Sequence, residues 1–214
     1  MGFVRKVYSI LAIQLSITTG AIVWVQTSDS AKQYMFSHQG TAFAACFGSI
    51  FLVFAIVCCF GRVHPVNLIL LLLFTACESY MVSGLTCAYD PKIVMMAGAA
   101  TALTTIALTI YALRTTTQIE VFAAMGFVVY LAMMPLIIIG LFVGLGGLYT
   151  LYCCLGVLLY SLYLIIDTIM ICGGKSMNGV TAYSMDDYVI GAMMLYLDIV
   201  MLFIYILRIL GSSK

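Results

Sequence analysis

The sequence predicts an all-α integral membrane protein, with seven spanning helices forming a single domain over residues 1–214. Three observations carry the prediction. Hydrophobic residues make up 64% of the chain, charged residues 8%, and mean hydropathy is +1.18, against about 25% charged residues in ordinary globular domains. Seven apolar runs reach or approach the ~20 residues that cross a bilayer core. The polar remainder is too small to coat a soluble particle or to build a large extramembrane domain, and no nucleic-acid partner is expected.

The runs follow in order as Val7–Val25, Thr41–Phe60, Asn67–Cys87, Ile93–Leu113, Val121–Phe142, Tyr149–Ile171 and Val189–Leu210. Between them lie a polar first loop over Gln26–Gln39, then Gly61-Arg62-Val63-His64-Pro65, Tyr89-Asp90-Pro91-Lys92 and Arg114–Glu120. An uncharged turn follows at Gly144-Leu145-Gly146-Gly147, and the longest later loop is Cys172–Tyr188. Gly and Pro punctuate these breaks as expected. Pro91 suits a helix start. Pro135 falls inside the fifth span and is expected to kink it, which a membrane helix tolerates when neighbours satisfy the freed carbonyl.

An odd number of spans puts the termini on opposite sides. With the N-terminus inside, Arg5, Lys6, Arg62, Arg114 and Lys175 collect on the inner face, and Lys32, Lys92, Arg208 and Lys214 on the outer. Arg5 and Lys6 at the edge of the first span favour that orientation. The eight cysteines sit within or at the ends of spans with no CxxC pair, which reads as packing thiols rather than a disulfide framework or zinc site.

Function is written in the ionisable residues inside the spans. An Asp at a membrane helix centre costs roughly 2.5–3.5 kcal/mol on insertion scales, so it persists when paired, protonated or facing a wet cavity. Asp167 lies four residues before the end of the sixth span and Asp198 nine residues into the seventh. Both depths are measured from one membrane face, and at 1.5 Å per residue they are about 6 and 14 Å. Arg62, just beyond the second span, belongs to that same face and is a counter-ion for the pair; Lys175 is a second candidate.

The Asp167 face continues through Tyr163, Tyr160 and Gly156 at i−4, i−7 and i−11. The Asp198 face is more apolar, with Gly191, Met194, Met201 and Leu202, and Tyr205 at i+7. Two carboxyls that meet titrate as a unit. They make a proton-sensitive gate or, when both are ionised, a transient site for calcium, which prefers hard oxygen ligands. The plainer alternative is that each Asp is a neutral, locally bonded residue holding helices together. Glu78, midway along the third span, is a further buried acid on an ion path or a packing group beside Thr75 and Ser79. Asp186 and Asp187 read as helix-dipole partners or solvated loop charges.

The segment Tyr160-Ser161-Leu162-Tyr163-Leu164-Ile165-Ile166-Asp167-Thr168, followed by Gly173-Gly174, resembles the transmembrane Bax inhibitor motif family, closest to its lifeguard-like branch. So do Tyr183 to Tyr188, Tyr196-Leu197-Asp198, Arg208 to Gly211, the N-terminal Phe3 to Leu11, and Pro65-Val66-Asn67-Leu68 with Phe74-Thr75. Ile169 stands where that family often has Gln, and Met201 where Asn is common, which thins the polar surroundings. The resemblance implies a last helix enclosed by the other six. It also implies a pH-sensitive calcium leak gated by Asp167 and Asp198, with Arg62 latching the closed form. It further implies suppression of cell death from the endoplasmic reticulum, Golgi or plasma membrane, with membrane-protein partners in that role.

The expectation is therefore a calcium-permeable leak channel and not an enzyme. No tightly bound cofactor is expected; calcium and protons are the moving species. Its rivals are a non-conducting anti-apoptotic interaction protein and a proton-coupled transporter using the same acids. An intramembrane aspartyl protease is disfavoured: Asp198 follows Met194-Leu195-Tyr196-Leu197 instead of Gly-x-Gly, and no Pro-Ala-Leu follows it. The seventh span has no Lys to form a retinal Schiff base.

Overall fold

The computed structural model describes residues 2–61, 63–115, 118–142, 146–172 and 187–212. Every regular element among them is helical: α1 Gly2–Thr27, α2 Asp29–Ser37, α3 Gln39–Ala55, α4 Val66–Thr86, α5 Pro91–Arg114, α6 Ile119–Phe142, α7 Tyr149–Ile171 and α8 Tyr188–Ser212. A π-helical turn, Ile56–Phe60, extends α3, and a 3₁₀ turn, Gly146–Leu148, leads into α7. Among the described residues, seven helices are long and apolar enough to cross a membrane, all but α2, with α3 and its π turn counting as one. Helices satisfy their own backbone groups, which hydrocarbon demands. Large apolar side chains such as Phe47, Met95, Leu103 and Phe127 are accordingly left exposed, as lipid-facing residues are.

Two sequence expectations change. The stretch read as a polar first loop contains α2. Ser28 caps it by accepting from the Ala31 N–H, and Asp29 in the first turn faces the positive end of the helix dipole. At nine residues and with none fully buried, this helix has no apolar run of spanning length to mark it in sequence. The second change narrows the two readings of Asp187: at 5% exposure it is not a solvated charge, and its place directly before α8 fits the helix-dipole reading. Its carbonyl accepts from the Gly191 N–H at 3.0 Å as α8 begins. Pro91 opens α5, as its fixed φ favours, and Pro135 lies inside a continuous α6.

The chain divides into two compact units. The first comprises α1–α4 and the start of α8 as far as Tyr196; α4 packs against both α1 and α3. Its interior is partly polar, and Phe74 meets the edge of the Tyr196 ring at 5.9 Å between centroids.

The second unit comprises α5 from Lys92, α6, α7 and α8 from Leu197. Here α6 packs on α7. One apolar cluster joins Ala112 of α5 and Phe122 of α6 to Leu162, Ile165, Ile166 and Ile169 of α7. Another joins Met133 of α6, Cys153 and Leu159 of α7, and Tyr205 of α8. Burial is greatest in α8, where 67% of its 18-residue apolar window is inside, against 44% for the α7 span and 17–33% for the others.

Candidate functional site

Within the second unit, α7 and α8 bring the two predicted acids together. The Asp167 and Asp198 carboxyls are hydrogen-bonded to each other. Asp198 is 6% exposed and Asp167 is half-buried. The Asp198 Oδ2 atom is buried with no hydrogen-bond donor against it. A hydrogen bond between two carboxyls requires a proton, so a pair bonded in this way carries at most one negative charge. Tyr160 and Tyr163, from the polar strip of α7, lie within electrostatic range of Asp198. Their rings meet edge to face at 5.9 Å between centroids.

The other predicted residues fall elsewhere. Glu78 belongs to the first unit, where its carboxyl hydrogen-bonds the Ser49 side chain of α3. Arg62, Lys175 and Asp186 lie outside the described residues. Among the described residues, no three His, Cys, Asp or Glu side chains gather as a metal site. Calcium takes six to eight oxygen ligands, so Asp167 and Asp198 could supply only part of its coordination. All eight cysteines are free.

A second polar feature, in the first unit, was not anticipated. Gln14 Nε2 donates to Thr75 Oγ1 at 3.0 Å, and Thr18 Oγ1 meets the hydroxyls of Ser79 and Tyr196, each at 2.9 Å. All five residues are buried, at 0–5% exposure. Thr18 also donates to the Gln14 carbonyl at 3.0 Å, which uses its single proton; the Ser79 and Tyr196 hydroxyls are then the donors to it. The legible signal was spacing: Gln14 and Thr18, like Thr75, Ser79 and Ser83, recur every four residues and so line one helix face. This network fixes Tyr196 two residues before Asp198. The start of α8 is thereby anchored within the first unit.

These features define a multi-pass integral membrane protein with a protonatable acid pair inside its spans. The chain belongs to the Bax1-I family, described as Inhibitor of apoptosis-promoting Bax1, which matches residues 1–214. That family is non-enzymatic and is linked to the inhibition of apoptosis. The chain is similar to Protein lifeguard 3 of Homo sapiens, 29% identical across 99% of this chain and 69% of the relative. It is 28% identical to Protein lifeguard 3 of Mus musculus over the same shares. It is also similar to the Golgi anti-apoptotic protein of Vaccinia virus (strain Lister), 31% identical across 100% of this chain and 86% of that one.

Proposed function

We propose that the protein is a pH-sensitive calcium leak channel with a cell-death-modulating role, gated by Asp167 and Asp198. The observation that carries the reading is their mutual hydrogen bond inside apolar spans. A shared proton ties α7 to α8 and closes the path. Its loss leaves two like charges, and at about 4 Å and an effective dielectric of about 20 these repel by roughly 4 kcal/mol. That is about a thousandfold change in a closed–open equilibrium. The ionised pair then offers carboxylate oxygens to a passing calcium ion that keeps most of its water.

Arg62 enters as counter-ion and latch on sequence grounds alone, and Glu78 as a support on the ion path. The reading includes a last helix enclosed by the other six, supported by the burial of α8. A Golgi location is favoured by the name of the viral relative, with the endoplasmic reticulum and plasma membrane as alternatives.

The test is calcium flux from proteoliposomes across a pH series, comparing the wild type with Asp167→Asn and Asp198→Asn. Expected is a wild-type flux that rises with pH and a pH response lost in both variants. Unchanged flux and unchanged pH response in both would sink the assignment. A second reading, a non-conducting anti-apoptotic interaction protein, draws on the viral relative's name, which specifies protection and no conduction. Inert purified protein that still protects cells would favour it. Flux that saturates and is competed by a small substrate would favour a proton-coupled transporter.

A further inference from the structure

The acid pair occupies one end of a longer seam between α7 and α8. From Asp167 the same α7 face runs back through Tyr163, Tyr160, Gly156 and Tyr152, and from Asp198 the α8 face runs on to Tyr205 and then Arg208. Tyr205 is 6% exposed. Its ring fills the space a side chain at position 156 would need: a Cβ on Gly156 would lie 2.5 Å from both Cδ1 and Cε1 of the ring.

The Tyr205 hydroxyl meets that of Tyr152 at 3.2 Å. The ring stacks on Tyr160 with centroids 5.7 Å apart and meets Tyr152 edge-on at 5.8 Å. The Arg208 guanidinium lies 5.9 Å from the Tyr205 ring centroid. A column of aromatic rings therefore links the level of Asp198 to that of Arg208, ten residues or about 15 Å along α8.

We infer that Tyr205, seated in the Gly156 notch and latched to Tyr152, is a second closure in series with the acid pair. This rests on the leak-channel reading above. A phenol ring held across an apolar seam excludes a hydrated cation, as hydrophobic constrictions do. Swung out of the notch, the same ring leaves a space with no side chain at position 156, bordered by the hydroxyls of Tyr152 and Tyr160. Those oxygens and the aromatic faces are groups a cation tolerates. The acids set when the path opens, and Tyr205 sets whether anything passes beyond them.

Cys153 reports on this closure directly, because it is fully buried and packs in the same cluster as Tyr205. With the other seven cysteines replaced by alanine, a charged, water-soluble methanethiosulfonate reagent should modify Cys153 slowly in the wild-type background. In Tyr205→Ala it should do so at least tenfold faster, with calcium flux raised severalfold and the pH response kept.

Tyr205→Phe keeps the ring and should retain slow labelling. Gly156→Ala, which expels the ring without removing it, should behave like Tyr205→Ala and serves where that variant fails to fold. Wild-type labelling and flux in Tyr205→Ala and Gly156→Ala overturn the closure, as does faster labelling with no added flux. If Asp167→Asn and Asp198→Asn lose the pH response while the Tyr205 variants change nothing, the closure alone is wrong. If the wild type conducts nothing, the channel reading fails and the closure falls with it.

Discussion

Removing the Thr18 and Ser79 hydroxyls around Tyr196 should destabilise the protein, and removing the phenol hydroxyl left stranded should then restore part of the loss. Tyr196 is fully buried, and Thr18 and Ser79 are the groups its hydroxyl reaches. In Thr18→Val with Ser79→Ala, two interhelical hydrogen bonds disappear, worth on average about 0.6 kcal/mol each in membrane proteins. The larger effect is the stranded phenol hydroxyl, which costs about 1–3 kcal/mol when buried without a partner.

The double variant should therefore lose roughly 2–4 kcal/mol. Adding Tyr196→Phe removes the stranded group, and stability should recover by about 1–2 kcal/mol. Reversible unfolding in mixed detergent micelles, followed by far-ultraviolet circular dichroism, gives the three free energies. A triple variant less stable than the double would refute the reasoning, because it would mean the hydroxyl still contributes without Thr18 or Ser79.

Other outcomes follow from local geometry. Gly61→Ala should cost about 1–3 kcal/mol, since its Cβ would sit 2.6 Å from the Ile56 carbonyl oxygen and 2.9 Å from Ile190 Cδ1. Gly126→Ala should be neutral or stabilising by about 0.5 kcal/mol in the same assay, because its nearest neighbour, Tyr163 Cε1, is at an ordinary 3.6 Å and alanine is the better helix former. Equal costs for the two would contradict the packing described. Cys172, exposed just past the end of α7, has its thiol pushed above the ordinary range by partial desolvation against the helix end. A raised pKa means less thiolate at neutral pH, so maleimide should label it more slowly than free cysteine at pH 7 and reach half-maximal rate at higher pH. Labelling that matches free cysteine across the pH series would count against that desolvation.

The spans were legible because hydrocarbon imposes a length, and runs such as Tyr149–Ile171 have it with almost no interruption. The shared depth of Asp167 and Asp198 was legible too, since rise per residue turns sequence position into depth, whereas whether the two carboxyls touch was not. Lateral position has no such ruler. Nothing in the seventh span announced that Tyr196 would be bonded to α1 and α4 while Asp198, two residues on, meets α7. The stripe Gln14–Thr18 was hidden by the apolar average of its span, although its four-residue spacing matches that of Thr75–Ser79–Ser83. Helix α2 escaped because it has no apolar run of spanning length, and the π turn at Ile56–Phe60 because its residues are those of any apolar helix.

The bond between Thr18 and Tyr196 spans 178 residues of sequence. At a synthesis rate of about 5–20 residues per second, roughly 9–36 s separate the emergence of the two partners. Through that interval the polar faces of the first and third spans are already made while the phenol that completes them is not. Newly made chains should therefore hold those hydroxyls in a provisional arrangement within the first unit. Release before position 196 should yield a product that membrane quality control recognises by its uncovered polar stripe.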